Sequence, residues 1–137
     1  MATDDNVAAL HAAVAHWNAG DLERYLTLYD PEAVLQGYAG VEPGLPGIRS
    51  FYQSFWAAFP GSQLVLEDTF ASGDKVASRF LLQGQHRGVF QGIAATGAHI
   101  HMPGITILEF RDGRCFRRWS YADSVGLLQQ IGAFPSR

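Results

Sequence analysis

The sequence predicts an α+β fold: a curved antiparallel or mixed β-sheet wrapped around N-terminal helices, forming a cone with an internal pocket. Two changes of pattern carry this. Apolar residues recur at helical spacing up to Phe59, and from Gln63 onward the period becomes two. A third observation sets the shape. One short strand falls between the second and third helices, so the sheet has to reach back around them.

Each element has its own signal. Val7, Leu10, His11, Val14 and Trp17 mark a helix over 4–18, which Thr3 can cap, with Asp4 and Asp5 in its favourable first turn. Gly20 ends it. Asp21 caps a second short helix with Leu22, Tyr25, Leu26 and Tyr29 on one face, and Asp30–Pro31 stops that helix. A strand over 33–36 follows, then "GYAGVEPGLPG" at 37–47, a rigid Gly/Pro loop. A third helix over 46–59 carries an aromatic stripe that includes Phe51, Tyr52, Phe55 and Trp56, and Pro60–Gly61 ends it. Strands are predicted at 63–71, 75–88, 99–111 and 114–122, with hairpin turns "SGD" and "RDG" and a glycine-rich connection over 88–97. A short helix over 124–131 closes the chain.

Composition narrows the function classes. The 137 residues fit one domain, and 47% hydrophobic content is ordinary for a globule. At net charge −3, with Lys and Arg thinly spread, no basic stripe exists to bind nucleic acid. The N-terminus is acidic where a signal peptide is basic, and no apolar run approaches membrane length, so a cytoplasmic protein is expected. Cys115 stands alone inside a strand and reads as structural. The pair "HIH" at 99–101 could hold a metal but reads more simply as a polar strand edge. No phosphate loop, nucleophile elbow or "HExxH" is present, so neither metal nor cofactor is expected.

Acid–base chemistry in an aromatic pocket remains. By period two, Cys115, Arg117, Trp119, Tyr121 and Asp123 share one strand face, opposite Phe116, Arg118, Ser120 and Ala122. In the strand over 75–88, Val76, Ser78, Phe80, Leu82, Gly84 and His86 form the apolar face, taken as inward. Asp123 supports two readings. It can cap the last helix, or it can be a pocket acid whose pKa rises between Trp119 and Tyr121 as it loses hydration. His86 is either a satisfied core histidine or a group that orients a substrate oxygen.

The stretch "HRGVFQGIAATG", then "RDGR", then Trp119 four residues before Asp123, then "LLQQIG", resembles the SnoaL-like polyketide cyclases. "HWNAGDLERYLTLYDPEAVL" is similar, more loosely, to the opening helices of their cone-fold superfamily, that of nuclear transport factor 2. The resemblance implies a homo-oligomer, dimeric or tetrameric, with one hydrophobic pocket per subunit and no cofactor. It implies that Asp123 is the acid/base of an aldol cyclisation or isomerisation on a hydrophobic, carbonyl-bearing ring compound. His86 is the second catalytic candidate. Trp17, Tyr25, Tyr29, Tyr38, Phe51, Phe55, His101, Trp119 and Tyr121 are the candidate substrate-binding residues. Glu109 departs from the family, which commonly has a basic or polar residue there, and could place a second carboxylate near Asp123. The rival reading is a non-catalytic ligand-binding or hydroxylase-partner member. Epoxide hydrolysis ranks lower, because it needs a second inward Asp beside Arg117.

Overall fold

The computed structural model describes residues 2–38 and 40–133. In chain order these form α1 (Ala2–Asn18), α2 (Leu22–Tyr25) with a 3-10 turn (Leu26–Leu28), β1 (Tyr29–Gln36), α3 (Leu45–Ala58), β2 (Gln63–Ser72), β3 (Lys75–Gln85), β4 (His99–Arg111), β5 (Arg114–Ala122) and α4 (Ser124–Gln130). The strands make one open mixed sheet in the order β1-β5-β4-β3-β2, with β1 parallel to β5 and every other pair antiparallel. The fold is therefore α+β, as the change of period predicts. No helix among the described residues is long and apolar enough to cross a membrane.

The main core lies between the helices and the inner face of the sheet, with Leu10, Trp17, Tyr25, Tyr52, Val76 and Leu108 among its buried members. A second cluster joins Ala58 and Phe59 to Ile100, Leu127 and Ile131, which docks α4 against the end of β4. β3 buries Val76, Ser78, Phe80 and Leu82, the face its alternation selects. Asp21 caps α2 by accepting from the Arg24 N–H at 3.1 Å. Thr3 lies inside α1 and donates to Gly73 O at 3.0 Å, so it is not the cap, and His11 is exposed.

Two departures have clear causes. β1 begins at Tyr29, and Asp30–Pro31 lies within it instead of stopping a helix. An edge strand tolerates a proline that lacks a donor, and here Asp30 Oδ1 turns inward along the chain to accept from Glu32 N at 2.9 Å. The second departure is in β5. Phe110 pairs with Cys115, yet Glu109 pairs with Arg117, so Phe116 is an extra residue and the strand carries a β-bulge. One added residue inverts the faces. Beyond it Arg118 and Ser120 are buried, while Arg117 and Tyr121 are exposed. The expected inward placement of Trp119 and Tyr121 is thereby reversed.

β3 leaves the sheet at Gln85, earlier than expected, because the chain turns onto the end of α3. Gly88 N donates to Ala58 O at 3.1 Å. A Cβ at Gly88 would collide with the Ala57 carbonyl, a helical group that cannot yield. Gly88→Ala should cost about 1–3 kcal/mol by overpacking, seen as a lower urea midpoint at unchanged slope.

Candidate functional site

An inner chamber of about 110 Å³ lies between the helices and the sheet. Trp17, Tyr25, Phe51, Tyr52 and Phe55 wall it on the helix side, and Tyr38 enters from the Gly/Pro loop. Leu64, Phe80, Leu82 and Met102 line the sheet side together with Arg118, Ser120 and Ala122 of β5. A vestibule of about 320 Å³ shares Tyr38, Phe51, Phe55, Met102, Ser120 and Ala122, and adds Phe90, Gln91, Ser124, Leu127 and Leu128. The inner chamber approaches the roughly 150 Å³ that holds one benzene ring, so a larger ligand has to extend into the vestibule.

The sheet wall carries a continuous polar cluster. Arg118 is only 8% exposed. Its Nη1 donates to Tyr29 Oη at 2.7 Å and to Tyr25 Oη at 3.1 Å, and its Nε donates to Thr106 Oγ1 at 2.9 Å. Tyr29 Oη bonds in turn with those of Tyr25 (2.9 Å) and Tyr52 (3.0 Å). Tyr38 donates to Ser120 Oγ at 2.8 Å, and Ser120 bonds Thr106 Oγ1 at 2.7 Å. Burial pushes the Tyr25, Tyr29 and Tyr52 hydroxyls above the usual phenol range, against the opposing pull of Arg118. They are neutral phenols at neutral pH. Burial also opposes the Arg118 charge, but the surrounding phenol oxygens, Tyr29 first, favour it, and the guanidinium stays protonated. Cys115 lies buried behind this cluster with its thiol pushed up to about 11 by burial, which makes it inert as a nucleophile.

The predicted site residues separate into three groups. Trp17, Tyr25, Tyr38, Phe51 and Phe55 line the chamber, and Tyr29 reaches it through its hydrogen bonds to Arg118 and Tyr25. Trp119, Tyr121 and His101 lie on the other face, where Tyr121 is 69% exposed and Arg117 sits over the Trp119 ring. Asp123 is exposed and caps α4, its Oδ1 accepting from Gly126 N at 2.8 Å. It stands between Ala122 and Ser124, which both line the vestibule, but it is not itself a wall residue. His86 is fully buried and lines neither chamber. Its Nδ1 accepts from the Thr96 N–H at 3.2 Å, which places the ring proton on Nε2, where it has no partner. Glu109 faces Lys75 at 3.8 Å and Arg117 at 3.7 Å, about 20 Å along β5 from Asp123 at roughly 3.3 Å per residue. The two carboxylates are not neighbours. Among the described residues no group of three or more His, Cys, Asp and Glu is placed to hold a metal.

The SnoaL-like polyketide cyclase family model matches residues 7–131. The chain belongs to the SnoaL-like polyketide cyclases. AclR of Streptomyces galilaeus, a candidate hydroxylase, superposes with TM-score 0.87 at 26% identity, over 98% of this chain and 85% of AclR. TsrD of Streptomyces laurentii gives TM-score 0.86 at 27% identity, over 96% and 97%. IdmH of Streptomyces antibioticus, a candidate polyketide cyclase, gives 0.77 at 30% identity, over 93% and 98%. Comparison with curated protein sequences gives no match.

In this SnoaL-like chain the residues missed by sequence reasoning are Arg118, Ser120, Thr106 and Tyr52. An arginine next to Arg117 gives no hint that it is buried, and only the bulge tells the two apart. Tyr29→Phe would remove the shortest bond to that cation. A stability loss of about 1.5–3 kcal/mol is expected by chemical denaturation, with a smaller loss for Tyr25→Phe, whose bond to Arg118 is longer.

Proposed function

We propose that this protein is a cyclase-type catalyst that needs no cofactor. It would bind an apolar, carbonyl-bearing ring compound and move a proton at a carbon acidified by neighbouring carbonyls. The observation that carries this is an aromatic chamber with one cationic, phenol-lined wall, opening through a vestibule to the start of α4. Apolar walls hold the rings, and donors set in a dry wall stabilise charge that develops on a carbonyl oxygen. Family membership supports the same class of chemistry.

Asp123 is the proposed acid/base. Its position between two vestibule residues supports this, and Oδ2 is free of hydrogen bonds to the described residues. His86 enters as a positioning residue. Through Thr96 it anchors the segment that brings Phe90 and Gln91 to the vestibule. Serine keeps an N-cap without a carboxylate, so Asp123→Ser separates the two roles of Asp123. With benzoylacetone as a surrogate, wild-type protein should accelerate deuterium exchange at the central carbon, followed by NMR. Asp123→Ser should lose about 10²- to 10⁴-fold of that rate, with stability changed by no more than about 0.5 kcal/mol. Exchange at the wild-type rate would reduce Asp123 to a cap.

We also propose that the outer sheet face joins copies of this chain in the cytoplasm. Phe70, Ala77, Ile107 and Trp119 lie in register across four strands, flanked by Ile105 and Tyr121. Phe70 is 70% and Ile105 58% exposed, so large apolar side chains cluster bare on this face. Ile105→Glu should shift the sedimentation coefficient from oligomer to monomer while far-UV circular dichroism stays unchanged. A monomeric wild type sinks the idea.

A further inference from the structure

The inner chamber contains a charge without a counter-charge. Arg118 is buried, yet none of the ion pairs among the described residues includes it. No carboxylate lines the chamber or the vestibule. Three neutral hydroxyls accept from Nε and Nη1, and Nη2 has no acceptor among the described residues. Neutral oxygens satisfy hydrogen bonds but leave the charge itself uncompensated, a costly state in an apolar interior. The indole N–H of Trp17, another wall residue, is buried without an acceptor. The chamber thus offers the free donors of Nη2, one full positive charge, and room for about one ring.

Resting on the reading of this chamber as the ligand site, we propose that it selects ligands by an anionic oxygen on an aromatic ring, which pairs with Arg118. A cationic ligand would meet like charge, and a neutral one would leave the guanidinium as it is. An ionised carboxylate or phenolate oxygen supplies the missing charge and accepts from Nη2. The ring then packs among Trp17, Phe51 and Phe55, and any further rings lie in the vestibule.

The test compares isosteres at one pH and fixed ionic strength by isothermal titration. Benzoate is set against benzamide, and nitrophenolate against nitroanisole. The nitrogen-15 shift of the Trp17 indole reports whether the probe is in the chamber. Wild-type protein should prefer the anion of at least one pair by about 10- to 100-fold, as charge-assisted bonds imply, and the larger ratio identifies the carrier. Arg118→Met, which keeps the volume and the apolar wall, should abolish the preference, and Arg118→Lys should retain part of it. If Arg118→Met does not fold, the wild-type ratios and Arg118→Lys still decide. Equal affinity within both pairs overturns the charge assignment and leaves the chamber as a ligand site. So does an anion preference that survives in Arg118→Met. If no probe binds or moves the Trp17 signal, the ligand-site reading itself fails.

Discussion

The single extra residue in β5 decides what the inside of this protein is made of. Without the bulge at Phe116, the hairpin pairing of Phe110 with Cys115 would continue so as to turn Arg117, Trp119 and Tyr121 toward the helices. With it, Arg118, Ser120 and Ala122 face inward. A large aromatic wall is exchanged for a guanidinium, a hydroxyl and a methyl group. Space appears next to a charge, and those two features define the chamber.

Everything polar around the chamber then follows from keeping Arg118 solvated by protein. The phenols that do so come from α2 and β1, and Tyr52 of α3 joins them through Tyr29, so the cluster ties each of these elements to the central part of the sheet. Their raised pKa keeps them protonated, so they lend oxygen lone pairs without lending charge. A carboxylate in their place would make a closed ion pair with nothing left for a ligand. The donors of an incompletely compensated cation are already oriented, and that pre-organisation is what an oxyanion-stabilising wall requires. The aromatic rings opposite make the surroundings apolar, which strengthens any charge interaction inside.

Much of the fold was legible because most elements carry independent local signals. β4 and β5 occupy the spans that their alternation predicts, and the inward face of β3 is the one its apolar residues mark. Trp17, Tyr25, Phe51 and Phe55 were readable as chamber walls because large aromatics on helices that face a sheet have nowhere else to go. The β5 side was not legible. Parity counting assumes an unbroken ladder, and nothing in "RCFRRWSYA" separates a regular strand from one with a residue inserted at its start. The miscount carries straight through the strand, so parity puts Trp119 and Tyr121 inside and Arg118 outside. The predicted first strand is shorter than β1 for a related reason. Asp30–Pro31 ends helices by rule, and only the position of β1 at the sheet edge makes the pair compatible with a strand.

The two candidates read as catalytic both accept a hydrogen bond from the backbone. A carboxylate at the first turn of α4 is held by Gly126 N, and any side chain at position 126 would collide with it, so the glycine keeps the cap in place. That hydrogen bond fixes the orientation of a group beside the vestibule mouth. His86 does the complementary work from inside. Its ring rests on Phe59, accepts from Thr96, and so fastens the glycine-rich 88–97 connection whose Phe90 and Gln91 line the entrance. His86 thus fastens one wall of the entrance and Asp123 stands at its edge, while the buried cation Arg118 lines only the inner chamber. Ser120 and Ala122 line both chambers, so the vestibule beside Asp123 is continuous with the wall that carries Arg118. A ligand long enough to span both chambers is the one that can use them together.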